Sequence, residues 1–573
     1  MKKRICIIVI VALFQQYFFS SCNLSDAVDD SSIPKDSATI AAGEISFIKN
    51  CSGCHNFRQN AIGPQLGGLT AKFSTDWIRR FIKNPQEVIS SGDAQAQQLI
   101  KEYKVVMPSF AGLQDSELNA IIAFLHTHKS RATGSSKDDN KGIANPIPEP
   151  IALSNLIVDL KPVAQFPASN DSAPLARITQ LSFQPNTGDL FVVDLRGKLY
   201  KLKNGKPEVW MDIAKLKPRF INQPGLATGF GSFAFHPDFA KNGLLYTTHT
   251  EAPGSGKADF SYPDSIKVTV QWVLTEWKLN NAAAADFSGT SRELLRINMV
   301  SGIHGVQEIS FNPLSKPGDK DFGLLYIGVG DGGSVEEGYP FIAHSKEKIW
   351  GTIIRIDPLG NNSTNGKYGI PENNPFAQRN GSNELGEIYA YGFRNPHRIT
   401  WTKSGEMLAC NIGQANIESI NLIEPGNDYG WPLREGNFVT ADINENLGNV
   451  YPLPANDSIY KITYPVAEYD HDEGKAISGG YEYWGTAVPQ LKGKFLFGDI
   501  PAGRLFYIDM ADVKQGRLAT IKEWKVTVNG LAKTLKELCG SDRVDLHFGR
   551  DAKGELYILT KADGRMYKME SAK

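Results

Sequence analysis

The sequence predicts a multidomain chain, a small all-α domain followed by an all-β six-bladed β-propeller. Three observations predict it. Residues 39–129 carry apolar side chains at helical spacing. Residues 130–150, SRATGSSKDDNKGIANPIPEP, have the Ser-, Gly-, Asp- and Pro-rich composition of a linker. Beyond Pro150, an apolar strand, a turn and a second strand recur six times. The length, 573 residues, also exceeds what one hydrophobic core serves.

The first element is an address. Lys2, Lys3 and Arg4 precede an apolar run from Ile5 to Phe14, which Gln15 and Gln16 interrupt, so the run is too short and broken to span a bilayer. Phe19-Ser20-Ser21-Cys22 resembles a bacterial lipoprotein signal over residues 1–22, which implies cleavage before Cys22 and lipid on that thiol. A plain secretory signal is the competing reading. Both imply export, to the periplasm or cell envelope, with the lipoprotein reading adding a membrane anchor. Residues 23–38 are polar and acidic and read as a tether.

In the α domain, Asp76-Trp77-Ile78-Arg79-Arg80-Phe81-Ile82 is amphipathic. Asp115 opens a last helix with Leu118, Ile121, Ile122 and Leu125 on one face. Within the domain stands Cys51-Ser52-Gly53-Cys54-His55. Two thiols at this spacing present both sulfurs to one edge of a haem, and the adjoining His55 reaches its iron. A zinc site would need further ligands, and only His126 and His128 are near in sequence. The expected cofactor is one covalent haem c. Its sixth ligand is read as Met107, in Val105-Val106-Met107-Pro108, with His126 or His128 the alternatives. Residues 40 to 129 resemble the small class I cytochromes c. In that family, segments like Ile62-Gly63-Pro64 and Leu66-Gly67-Gly68-Leu69 form the loop over the proximal histidine.

The remaining cysteines, Cys410 and Cys539, read either as a disulfide or as two buried thiols. A net charge of −1 argues against nucleic acid as a partner.

The six repeats begin at Leu181-Ser182-Phe183, Phe233-Ala234-Phe235, Ile309-Ser310-Phe311, Ile399-Thr400-Trp401, Gly480-Tyr481-Glu482-Tyr483 and Leu546-His547-Phe548. Unequal spacing between them suits propeller blades with insertions on one face, and a pair of β-sandwiches is the competing architecture. Several stretches, above all Leu325-Tyr326-Ile327-Gly328-Val329-Gly330-Asp331-Gly332-Gly333, Tyr391-Gly392-Phe393-Arg394-Asn395-Pro396 and Asn427-Asp428-Tyr429-Gly430-Trp431-Pro432, resemble the glucose/sorbosone dehydrogenase family. These are soluble quinoprotein sugar dehydrogenases that use pyrroloquinoline quinone (PQQ) and calcium. The resemblance implies that His304 is the general base and that Arg394 contacts the reacting quinone oxygens. It implies calcium on the backbone carbonyls of Gly413 and Gln414, where Gln414 replaces a proline, and cofactor contact by Asn395. Pro501 stands where the family has a lysine, with Arg504 as the candidate replacement, and Arg543 alone remains of an Arg-x-Arg pair. Three carboxylates on PQQ call for cations, here Arg394, Arg504, Arg543 and Arg550.

The expected function is therefore oxidation of an aldose sugar or related alcohol with PQQ, the electrons passing to the chain's own haem and on to a respiratory acceptor. The alternative is a non-enzymatic propeller that binds a partner, fused to a c-type electron carrier.

Overall fold

The computed structural model describes residues 33–573 apart from 52–54, 56, 58–62, 104, 130–141, 226, 283, 285, 379–382 and 441–447. Cys22, the leader and Cys54 lie outside the described residues.

The N-terminal part is helical: α1 (Ser37–Asn50), α2 (Leu69–Lys72), α3 (Thr75–Lys83), α4 (Pro85–Ser90), α5 (Ala94–Tyr103) and α6 (Asp115–Thr127). Asp36 caps α1 by accepting from the Thr39 N–H at 2.8 Å, and Ser74 caps α3. Ile33 is buried in the same apolar cluster as Trp77, Ile78, Leu118 and Ile122. The packed domain therefore reaches back into the stretch read as a tether, because one apolar side chain in a polar run is enough to anchor it.

α1 and α6 cross at Gly43, where a Cβ would stand 1.9 Å from the Ala120 carbonyl oxygen. Gly43→Ala must push the two helices apart. The expected loss is about 1–3 kcal/mol, read as earlier loss of the haem-domain signal on heating.

The second part is all β. Its strands are β1 (Ala152–Gln165), β2 (Ile178–Phe183), β3 (Leu190–Asp194), β4 (Lys198–Lys203), β5 (Lys206–Asp212), β6 (Phe230–Phe235), β7 (Leu244–Glu251), β8 (Val270–Leu279) and β9 (Gly289–Met299). Then come β10 (Glu308–Phe311), β11 (Leu325–Val329), β12 (Thr352–Ile356), β13 (Ile388–Tyr391), β14 (Pro396–Trp401), β15 (Met407–Asn411), β16 (Ile417–Ile423), β17 (Arg434–Glu435), β18 (Phe438–Thr440), β19 (Val450–Tyr451) and β20 (Ala467–Asp470). The last are β21 (Ile477–Glu482), β22 (Lys494–Asp499), β23 (Leu505–Asp509), β24 (Lys522–Val528), β25 (Leu531–Lys533), β26 (Leu546–Arg550), β27 (Leu556–Thr560) and β28 (Arg565–Ala572).

Four-stranded antiparallel groups recur: β2–β5, β6–β9, β10–β13, β14–β15–β16–β20, β21–β24, and β26–β27–β28 with β1; the first, fifth and sixth join through the parallel pairs β1/β24 and β2/β26 into one 13-stranded sheet that also takes in β25, and β17–β19 form a separate three-stranded sheet. Each sequence repeat is the first hairpin of one group. Strands such as β6, β7 and β11 are buried along their whole length, because each sheet is covered on both faces by its neighbours.

Apolar seams fill the space between successive groups. Phe191 meets Phe235, Trp272 meets Ile327, Tyr326 meets Trp401, and Leu408 shares a cluster with Phe497. Tyr507 shares another with Phe548, and Tyr557 of the sixth group packs with Ile178 and Val192 of the first. Burying one such side chain contributes about 1.5–3 kcal/mol.

β1 pairs antiparallel with β28 and parallel with β24, joining the fifth and sixth groups. Just ahead of it, the end of the predicted linker is pinned: Ile143 N–H donates to the Val450 carbonyl and Ile147 N–H to Asp470. Cys410 and Cys539 are both free thiols, so the disulfide is not formed. Burial pushes the Cys410 thiol up to about 12.

Candidate functional site

Cys51, His55 and Met107 line one cavity of about 630 Å³ in the helical domain, walled by apolar side chains that include Phe47, Leu69, Trp77 and Phe81. His55 Nδ1–H donates to the Pro64 carbonyl at 2.8 Å, which leaves Nε2 as the ligating nitrogen. Burial lowers the His55 pKa and the Pro64 bond partly offsets it, so the imidazole is neutral and ready to bind a metal. A Cβ on Gly63 would lie 2.4 Å from the His55 ring. Only glycine lets this loop lie against the imidazole. His126 bonds Thr70, and His128 stacks on Phe57 at 3.6 Å. Neither lines the cavity, which leaves Met107 as the sixth-ligand candidate. The apolar cavity, the tautomer and the flanking thiol fit a covalent haem.

A second cavity lies at the centre of the β domain. Its lining includes His304, Arg394, Asn395, Gly413, Gln414 and Arg543 from the sequence reading, and His55 of the helical domain as well. One cavity wall is thus shared with the haem ligand. Glu44 of α1 and Lys267 of the β domain form an ion pair across the two domains at 2.7 Å.

His304 sits between β9 and β10 with φ +50°, a left-handed conformation uncommon outside glycine. The turn is held by the Gly332 N–H donating to the His304 carbonyl and the Gly330 N–H donating to that of Gly305. Space comes from Gly330, where a Cβ would lie 2.2 Å from the His304 carbonyl oxygen. His304 Nδ1 lies 2.8 Å from Asp331 Oδ1. Asp331 is wholly buried and also accepts from Trp431 Nε1–H at 2.9 Å and the Gly333 N–H at 2.9 Å. Burial raises its pKa, but the interaction with His304, the Arg394 charge and the Gly333 N–H outweigh it and hold the pKa below the usual value. An ionised carboxylate only accepts. Nδ1 therefore carries a proton toward Asp331, which leaves Nε2 free of that contact.

Arg394 lies between β13 and β14. Its Nε–H donates to Gln414 Oε1 at 2.6 Å and Nη1–H to the Gly413 carbonyl at 2.5 Å, and Nη2 pairs with Glu336. The Gly413–Gln414 loop is held from behind by Glu435 Oε1, which accepts the N–H groups of Gln414, Ala415, Asn416 and Ile417.

The Gly413 carbonyl, expected as a calcium ligand, here accepts from the Arg394 guanidinium, so a calcium ion on that oxygen would require the guanidinium to turn away.

Two cation assignments also change. Arg504 lies outside the cavity, paired with Glu473 at 2.6 Å and Glu523 at 2.8 Å. Arg550 stacks on Trp484 at 3.7 Å and does not line the cavity either. The cations that do converge are Arg177, Arg394, Lys475, Arg543 and Lys561, against the carboxylates of Glu336 and Asp545. The positive excess suits an anionic ligand, and the cavity holds about 130 Å³, so a ligand as large as PQQ would need lining side chains to move. Lys561 lines the cavity, where burial lowers its pKa to about 7. Sequence reasoning missed it and Arg177, because neither lies near a recognisable motif. Asp331, by contrast, stood inside the quoted Gly330-Asp331-Gly332-Gly333 run.

Fold and site together define a c-type cytochrome domain joined to a β-sheet domain of sugar-dehydrogenase type. The glucose / sorbosone dehydrogenase profile matches residues 175–568 and the cytochrome c profile residues 40–129. The chain belongs to the glucose / sorbosone dehydrogenase family. It is 29% identical to the HIPL2 protein of Arabidopsis thaliana over 53% of this chain and 47% of that one, so it spans about half the length of that relative. The aldose sugar dehydrogenase YliI of Escherichia coli is 25% identical over 66% of this chain and 88% of its own. A crystal structure of a glucose dehydrogenase superposes with a TM-score of 0.50 at 17% identity, covering 72% of this chain and 99% of the other, and shows the shared fold.

Proposed function

We propose that this chain is an exported quinohaemoprotein-type oxidoreductase, anchored through lipid on Cys22, that oxidises an aldose sugar or related alcohol with PQQ and passes the electrons to its own c-type haem. In this reading residues 39–129 are the cytochrome domain and 151–573 the catalytic domain. The six four-stranded groups are the blades of a closed propeller, supported by the apolar seam between every neighbouring pair, sixth to first included. The observation that carries the reading is that His304, Arg394 and His55 line one cavity.

The chain's own residues do the following. His304 Nε2 accepts the proton of the anomeric hydroxyl. Asp331 offsets the imidazolium charge that results, and Trp431 and Gly333 fix that carboxylate so that the imidazole cannot turn. Arg177, Arg543, Lys475 and Lys561 line the cavity and would hold carboxylates of the cofactor. Arg394, fixed by three partners, presents its charge at the cavity wall without rearranging during the reaction. The quinone, when bound, supplies the acceptor for the hydride leaving the anomeric carbon, and the haem at His55 supplies a one-electron carrier. The shared wall at His55 keeps that relay within the molecule.

The test uses the full chain with haem attached. Adding PQQ and an aldose should bring up the reduced haem bands. No reduction across a broad panel of sugars and alcohols, by protein shown to be folded and haem-loaded, would sink the proposal. A second reading, a binding platform beside a separate electron carrier, draws on Arg394 being saturated by internal partners. It predicts that His304 can be removed without consequence for sugar-dependent reduction.

A further inference from the structure

Lys561 stands in the turn between β27 and β28. Its N–H donates to the Asp545 carbonyl at 3.3 Å, and the N–H of Ala562 donates to the Val544 carbonyl at 3.2 Å. Two backbone bonds thus fix the point from which the side chain leaves for the central cavity, which it lines. Lys561 is partly exposed. Its Nζ makes no hydrogen bond or ion pair among the described residues and is not sealed from the open space beside it. Lys475, the other lysine of the lining, has interactions of its own.

The surroundings act on this amine. Arg177, Arg543 and Arg398 oppose a further positive charge, while Asp545 favours one. Asp545 is already paired with Arg543 at 2.8 Å. His397 and His547, which burial holds neutral, lie close enough to feel the Lys561 charge. Burial, with the three arginines, pushes Lys561 down to about 7, so a large share of it is uncharged at neutral pH. An uncharged amine is a nucleophile, and a desolvated lysine beside other cations is one that proteins use against carbonyl carbons. Arginines next to it suit a carboxylate on the same molecule. A cavity of about 130 Å³ suits a ligand of a few heavy atoms.

We propose that Lys561 is a covalent capture site for small anionic carbonyl compounds, the 2-oxo acids and aldehyde acids. Nζ adds its lone pair to the carbonyl carbon. Both amine protons leave with the carbonyl oxygen as water, and an imine remains. No electrons are exchanged, and hydrolysis reverses the step. Arg177 and Arg543 attract the carboxylate. The capture concerns the cavity without its quinone, so it stands or falls apart from the reading above.

The test treats the full haem-loaded chain, freed of quinone, with glyoxylate and cyanoborohydride. Hydride from the reagent reduces the imine to a stable secondary amine, which peptide mass mapping locates. Lys561 should be labelled at least tenfold faster than Lys215, whose side chain is 83% exposed. Its rate should level off just above pH 7, because only the uncharged amine adds. Measured against Lys215, acetaldehyde, which lacks the carboxylate, should favour Lys561 at least fivefold less than glyoxylate does. Labelling of Lys561 no faster than that of Lys215, or an equal preference for acetaldehyde, overturns the inference.

Discussion

His304→Ala lowers kcat for aldose oxidation by about 10²–10⁴-fold, the usual contribution of a positioned general base, while Kd for PQQ and haem content stay near those of the unaltered chain. The size follows from the geometry. Nδ1 is committed to Asp331 at 2.8 Å, so Nε2 is the proton acceptor, and alanine leaves no group in its place. Asp331 would then lie buried with one carboxylate oxygen short of a partner, which favours its protonation. Trp431 and Gly333 still hold its other bonds, so the fold survives. The check is steady-state turnover with a soluble dye as acceptor, alongside a PQQ titration. Unchanged turnover with tight PQQ binding would assign His304 a structural role and favour the platform reading.

His55→Ala abolishes sugar-dependent haem reduction but leaves dye-linked sugar oxidation within a few-fold. In the proposed reading the imidazole ligates the iron through the nitrogen that the Pro64 hydrogen bond leaves free, and among the described residues no other histidine lines the haem cavity. Removing it takes away the internal acceptor. The base, its carboxylate and the cations of the β domain are untouched. His55 also lines the β-domain cavity, so a modest change in KM is expected. The measurement is paired: the reduced haem bands and dye reduction, on one preparation. If both assays collapse together, the two cavities are one catalytic unit and the relay described here is wrong.

Much of this was readable because the signals are local. Cys51, Cys54 and His55 fall within five consecutive positions, and Met107 is a methionine in a stiff loop, so this candidate haem site could be proposed without long-range information. Each blade-like group announced itself through its first hairpin, as at Leu181 and Phe191. His304 and Arg394 were legible because the runs around them resemble the glucose/sorbosone dehydrogenase family. What stayed hidden depends on partners distant in sequence. Arg504 looked available, yet Glu473 and Glu523 claim it. Gly413 looked like a calcium ligand until Arg394, nineteen residues earlier, took its carbonyl. Lys561 and Arg177 belong to opposite ends of the β domain and meet only across the cavity. Ile33 read as tether because its contacts, Trp77 and Leu118, lie far downstream.

The placement of β1 carries a consequence for how the molecule is made. It is the first strand of the β domain to leave the ribosome, yet its neighbours β24 and β28 are synthesised more than three hundred and fifty residues later. Throughout that interval its amide and carbonyl edges are open, an invitation to pair with a neighbouring nascent chain. Until the far end of the polypeptide is available, β1 lacks the two strands it pairs with.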